Sequence, residues 1–267
     1  MNVSTKVFKA VLKTVLTASL LLSAQVASAN QLDAIKDSGV LKVAVPQDFP
    51  PFGSVNINLQ PQGYDIDMAQ YLADQMKVKL ELVPVTSANR IPYLQTRKVD
   101  LVISSLGKNP ERERAIDFTD AYAPFFLGVF GSDAETVSAP EELAGKTVGV
   151  TRGSVEDIEL SKIAPKGTTL KRYEDNNATL SAYLSGQVSL IATGNLVVTE
   201  IASRNPAKAP QVKFMLKDSP CYIGIKKGDT ELLDEINVLI KQAKSQGELE
   251  NISQKWLKAP FPASLGA

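Results

Sequence analysis

Val99-Asp-Leu-Val-Ile-Ser-Ser-Leu-Gly-Lys-Asn-Pro-Glu-Arg112 is the stretch on which the fold turns. Residues 99–103 are short, β-branched and almost wholly apolar, the pattern of a strand buried on both faces of a parallel sheet. Polar residues begin where such a strand ends. Ser104, Ser105, Gly107 and Asn109 form a turn, and Pro110 suits the first position of a helical turn that holds Glu111 and Arg112. Hydroxyls, free backbone N–H groups and one guanidinium in a small volume make a receptor for a carboxylate, with Arg112 as the fork. The same residues also allow a weak surface ion pair of Arg112 with Glu111, Glu113 or Asp117.

Outward from that stretch, strand and helix patterns alternate. A helix is expected at 32–38, ended by Gly39, then a strand at 41–45 that closes at Pro46. Pro50 and Pro51 lack amide hydrogens, so 47–52 cannot continue it. Residues 63–73 read as a helix start, with Asp65 as a cap and Asp67 at the positive end of the dipole, both structural. A strand at 78–83 and a turn into a helix at 86–94 follow. Residues 122–131 are long, extended and apolar, a first crossing strand between two lobes. Beyond them come strands at 147–151, 170–173, 188–193 and 211–216, with helices at 154–163, 177–184 and 196–203 between them. Residues 221–226 cross back, and helices at 230–245 and 248–257 close the chain. Alternation of this kind predicts an α/β fold with parallel sheets, divided into lobe one (30–126 and 219–267) and lobe two (127–218).

The N-terminal 29 residues have the parts of a secretory signal: Lys6, Lys9 and Lys13, an apolar run at 10–22, and Ala27-Ser-Ala29 as cleavage site. Cleavage after Ala29 and a periplasmic location are expected. The apolar run is short against the roughly 20 residues of a bilayer span, so no stable membrane insertion is expected, and no Cys follows the site to take a lipid anchor.

Lys plus Arg number 29, Asp plus Glu also 29, and His is absent. That balance argues against nucleic acid or a membrane surface held by bulk charge. Without His, and with Cys221 as the single cysteine, an ordinary zinc site and an intramolecular disulfide are excluded. No metal and no cofactor are expected, and Cys221 reads as a packing residue within an apolar run.

Residues 99–112, with Ile116-Asp-Phe-Thr-Asp-Ala-Tyr122 after them, resemble the ligand-binding turn of bacterial periplasmic amino-acid-binding proteins that feed ABC importers, solute-binding protein family 3. Gly63-Tyr-Asp-Ile-Asp67 and the closing Lys255-Trp256 are similar to the same family, and the resemblance runs from about Leu32 to the C-terminal tail. It implies a two-lobe periplasmic-binding-protein (Venus flytrap) fold with two crossing strands as hinge. It further implies that Ser105, Gly107 and Arg112 hold a ligand α-carboxylate, that Phe49 lays its ring over the ligand with Phe52 packed behind, and that Ser154 touches the ligand while capping its helix.

Ser87 and Arg90 match the glutamate/aspartate-binding branch, where such residues reach a side-chain carboxylate. That branch has another basic residue near Pro46, where this chain has none. Arg90 is therefore left with a second carboxylate, a single one, a carbonyl or a neighbouring Asp as partner. The family's lobe-two Asp for the ligand ammonium is replaced at Gly194 or Asn195. Either another acid such as Asp175 substitutes, or the ligand is not a standard α-amino acid and lacks the usual α-amino contact. The expected function is capture of a small carboxylate-bearing solute by a monomeric binding protein, not an enzyme, and its delivery to an ABC importer permease by lobe closure. The alternatives are an exported enzyme similar to cyclohexadienyl dehydratases, for which no general acid is evident in the sequence, and a ligand-sensing partner of a membrane receptor.

Overall fold

The computed structural model describes residues 30–265, so the expected cleavage after Ala29 lies outside them. The chain first forms helix α1 (Gln31–Ser38), strand β1 (Val40–Val45), a small hairpin of β2 (Ser54–Val55) and β3 (Pro61–Gln62), and helix α2 (Tyr64–Met76). Next come β4 (Lys79–Pro84), α3 (Arg90–Gln95), β5 (Leu101–Leu106), α4 (Pro110–Ala115) and β6 (Ile116–Ala123). A second group follows: β7 (Phe126–Gly131), β8 (Thr147–Thr151), α5 (Val155–Ile163), β9 (Thr169–Tyr173), α6 (Asn176–Leu184), β10 (Leu190–Gly194), α7 (Asn195–Arg204) and β11 (Gln211–Asp218). Strand β12 (Cys221–Lys226) then returns to the first group, and α8 (Thr230–Ser245) and α9 (Glu248–Leu257) close the fold.

The strands make two five-stranded sheets, ordered β4-β1-β5-β12-β6 and β11-β7-β10-β8-β9. In the first, side chains alternate as the two-residue period requires: Leu41, Val43, Leu101 and Ile103 pack to one core, Ala44, Val102 and Leu106 to another. Burial of each such side chain stabilises by roughly 1.5–3 kcal/mol. Local signals set the ends. Asn30 accepts from the Asp33 amide to start α1, and Gly39, at φ 66°, ends it in the left-handed conformation that glycine tolerates. Lys255 Nζ and Trp256 Nε1 donate to the Asp67 carboxylate at 2.6 and 2.7 Å, pinning α9 to the start of α2.

The sheets are mixed, which corrects the expectation of parallel ones. β1, β4 and β5 run parallel, as do β8, β9 and β10, but β12 is antiparallel to β5 and β6, and β7 to β10. The cause is that β7 and β12 each enter a sheet from the other one. The extended run at 122–131 is likewise not one strand: Pro124-Phe125 separates β6 from β7, and Ser219-Pro220 separates β11 from β12. The Ser219 amide donates to the Phe125 carbonyl at 3.0 Å, tying the two joints together. Phe126 pairs with Asp218 in the second sheet, so the crossing ends one residue before the division expected at 126/127.

Candidate functional site

A cleft lies between the two sheets, walled on one side by residues at the ends of β1, β5 and α3 and on the other by the starts of α5 and α6. Of the residues singled out from sequence, Phe49, Ser87, Arg90, Ser105, Gly107 and Ser154 line it. Arg112 and Asn195 do not.

The strand end is held from behind. Ser105 sits at φ 40°, a left-handed conformation rare for a residue with a side chain, and its amide donates to Asp65 at 2.8 Å. Asp65 is fully buried in the first turn of α2 and also accepts from the Tyr122 hydroxyl at 2.6 Å. It is thus a strut to β5 and not the helix cap expected, since the cap position is Gly63. Burial pushes its carboxyl up to about 7, against the opposing pull of those two bonds and of Arg90.

Arg112 is buried, and its side chain takes two backbone carbonyls, Gly107 at 2.8 Å and Gly153 at 2.9 Å. Arg112 lines an adjoining pocket together with Ser87, Arg90 and Gly153, and its side-chain bonds go to carbonyls and not to Glu111, Glu113 or Asp117. The guanidinium lies behind the turn and stitches it to the turn ahead of α5. Burial, with Arg90 close by, lowers its pKa to about 9. Arg90 is the guanidinium that lines the cleft. It donates to the Ser104 carbonyl at 2.6 Å and to the Ser87 carbonyl at 3.3 Å, so two of its five donors are committed to the chain.

On the facing wall Ser154 caps α5, accepting from the Asp157 amide at 3.1 Å. Gly153, at φ 72°, comes so close to the first lobe that a Cβ there would stand 3.2 Å from Ala88 Cα. Two residues along, Glu156 is buried and lines the cleft. Burial raises its carboxyl above the usual range, while the helix start and the Arg90 and Arg112 cations pull the other way. Asp48, from the first lobe, accepts from the Asn176 amide at 2.7 Å and its side-chain amide at 3.3 Å, a carboxylate seated at a helix N-terminus.

The strand end of β10 offers no side chain at all. A Cβ on Gly194 would lie 1.7 Å from the Phe125 ring, so the place where the family resemblance puts an Asp is filled by an aromatic. That ring meets Phe49 and Phe52 edge-on, with centroids 6.1 and 5.2 Å apart. Asn195 turns to the first crossing and accepts from the Phe126 amide at 3.0 Å. Asp175 caps α6 through the Ala178 amide at 2.7 Å. It does not line the cleft. Cys221 is fully buried in β12, as a packing residue should be.

Asp48, Phe125, Glu156, Asn176 and Ser219 also line the cleft and were not anticipated. Glu156 had one visible signal, an acid in the first turn of a helix, which reads equally well as a partner of the dipole. The cleft thus brings a buried cation from one lobe and a buried acid from the other to a shared space, an arrangement suited to a small molecule carrying both charges.

The family model for bacterial extracellular solute-binding proteins, family 3, matches residues 41–259. The ABC transporter glutamine-binding protein of Bacillus subtilis is 30% identical over 232 residues, covering 85% of this chain and 84% of its own. Among solved structures, the cysteine-binding protein from Campylobacter jejuni superposes with a TM-score of 0.81 at 28% identity, covering 87% of this chain and 95% of that one. An ancestral amino acid-binding protein, a precursor of cyclohexadienyl dehydratase, gives 0.75 at 32% identity, with 85% and 99% covered.

Proposed function

The chain belongs to the bacterial extracellular solute-binding proteins, family 3, and from that premise we propose that it captures a zwitterionic amino acid in the periplasm and presents it to an ABC importer. The single observation that carries this is that Arg90 and Glu156, both buried, line one cleft from opposite lobes. A buried charge is tolerated when a counter-charge meets it. An amino acid bound with its carboxylate toward Arg90 and its ammonium toward Glu156 satisfies both. Ser87, Ser105 and Ser154 add hydroxyls, Phe49 and Phe125 form the apolar wall, and Arg112 holds the two turns from behind. A dicarboxylate without an amine is disfavoured, because its second negative group would face Glu156 and Asp48.

Ligand contacts from both lobes favour the closed arrangement over the open one, and closure is what a permease would recognise. Removal of residues 1–29 on export, lobes divided ahead of Phe126 and after Asp218, and a monomeric working form complete the reading. A thermal-shift screen of the mature protein against amino acids, 2-oxo acids and dicarboxylates tests it. Ligand at a hundredfold excess over its Kd stabilises by about 2.7 kcal/mol, and amino acids should be the compounds that do so. Stabilisation by dicarboxylates or 2-oxo acids in preference to amino acids overturns it.

Glu156 also supports a second reading. A carboxyl raised by burial in the cleft is a candidate general acid for an elimination, one that the sequence did not reveal. Incubation with prephenate or arogenate, followed by product absorbance, separates catalysis from binding.

A further inference from the structure

The second crossing carries a side chain whose chemistry the fold leaves unanswered. Ser219 is 3% exposed and lines the cleft. Among the described residues its hydroxyl has no hydrogen-bond partner, although its backbone amide is satisfied by the Phe125 carbonyl. A buried hydroxyl without a partner is destabilising, and the residue that carries it lines the cleft with Ser105, Gly107 and Ser154.

Its position relative to Gly107 is specific. Gly107 occupies the middle of the polar turn after β5, and a Cβ built on it would meet Ser219 Oγ at 2.5 Å. The next neighbours of that Cβ, Val155 Cγ2 and Ser219 Cβ, lie at 3.1 and 3.8 Å. The hydroxyl from the hinge therefore stands where a side chain of the turn itself would otherwise begin. Behind the turn Arg112 is bonded to the Gly107 carbonyl, and Arg90 lines the same space. In the pose proposed above, with the carboxylate toward Arg90, a hydroxyl from Ser219 serves that carboxylate as a donor.

We infer that Ser219 is a ligand-binding residue carried by the hinge, which donates its hydroxyl to the carboxylate of the bound amino acid in the place that Gly107 leaves bare. The inference rests on the amino-acid reading above and adds a consequence: the ligand is bonded to the crossing segment itself, beside the bond that ties both crossings together.

The test uses the full mature protein and calorimetric titration with L-glutamine, L-arginine, L-histidine, L-cysteine and L-cystine. Ser219→Ala should weaken the tightest of these about tenfold, as expected for one lost hydrogen bond to a charged group, with the melting temperature of the unliganded protein unchanged or raised. Gly107→Ser alone should also weaken binding, because the new side chain collides with Ser219. The double variant Gly107→Ser/Ser219→Ala should recover most of the affinity, since the hydroxyl has only been moved to the other side of the gap. A purely structural serine would give no such recovery. Equal affinity of wild type and Ser219→Ala, or a double variant weaker than both singles, overturns the inference and leaves the amino-acid reading standing. Failure of the wild type to bind any of the five amino acids overturns both.

Discussion

The two crossings between the lobes differ in kind. The first, Pro124-Phe125, brings an aromatic ring to the cleft and fixes it among Phe49, Phe52 and the bare Cα of Gly194. The second, Ser219-Pro220, brings a hydroxyl that no other described residue engages. One joint is packed to saturation and the other is left chemically open. The difference gives packing to the first joint and, on the inference above, ligand contact to the second, although each joint carries one proline.

That contrast can be broken at several points. Phe125→Ala removes a ring that is 6% exposed and should destabilise by about 4 kcal/mol in urea unfolding; a loss below about 1 kcal/mol would mean the first joint is not a packed one. The anchoring of the same joint is pH-sensitive. Tyr122, just ahead of it, bonds to Asp65, whose carboxyl is raised to about 7 from 3.8. A carboxyl raised on folding favours the native state below its unfolded pKa, and that advantage is lost as pH climbs through about 7. Stability should therefore fall by up to roughly 4 kcal/mol between about pH 4 and about pH 8, and Asp65→Asn should flatten the profile. An unchanged slope in that variant would locate the titration elsewhere.

Smaller effects sharpen the comparison. Gly194→Ala should cost about 2 kcal/mol by overpacking against Phe125, and in the Phe125→Ala background the same change should be nearly neutral, a coupling that a double-mutant cycle measures. Asp48→Ala removes the contact with the α6 start and should lower stability by about 1 kcal/mol, with a larger radius of gyration in solution scattering as the lobes part. Ser219→Ala, at the other joint, removes a buried hydroxyl without a partner and should leave stability unchanged or raise it by up to about 1 kcal/mol. A large loss there would assign the second joint the same packing role as the first.

The order of elements is legible in the sequence because periods of two and 3.6, and the caps that end them, are local. Residues 147–151 and 230–245, for example, match β8 and α8 end to end. Much of the cleft is legible on the same ground, since Ser105, Gly107 and Ser154 sit at strand and helix ends. What could not be read depends on residues far apart in the chain. Asp65 reaches Ser105 across 40 positions, Arg112 reaches Gly153 across 41, and Asp48 reaches Asn176 across 128. No local pattern encodes such pairings, so the bonds of Arg112 to the Gly107 and Gly153 carbonyls are invisible from its turn. The lack of an acid at Gly194 is visible in the sequence, but its cause, a ring from a different segment, is not.

The seating of Asp48 on the first turn of α6 needs no cargo, because both partners belong to the chain. Every contact of that sort reduces the work left for a passenger in bringing the halves together, and so raises the share of empty molecules that look full from outside. On the reading proposed above, an importer meeting such molecules would hydrolyse ATP without a delivery, and the Asp48 carboxylate, with the Arg112 bond to Gly153, would contribute to that idling.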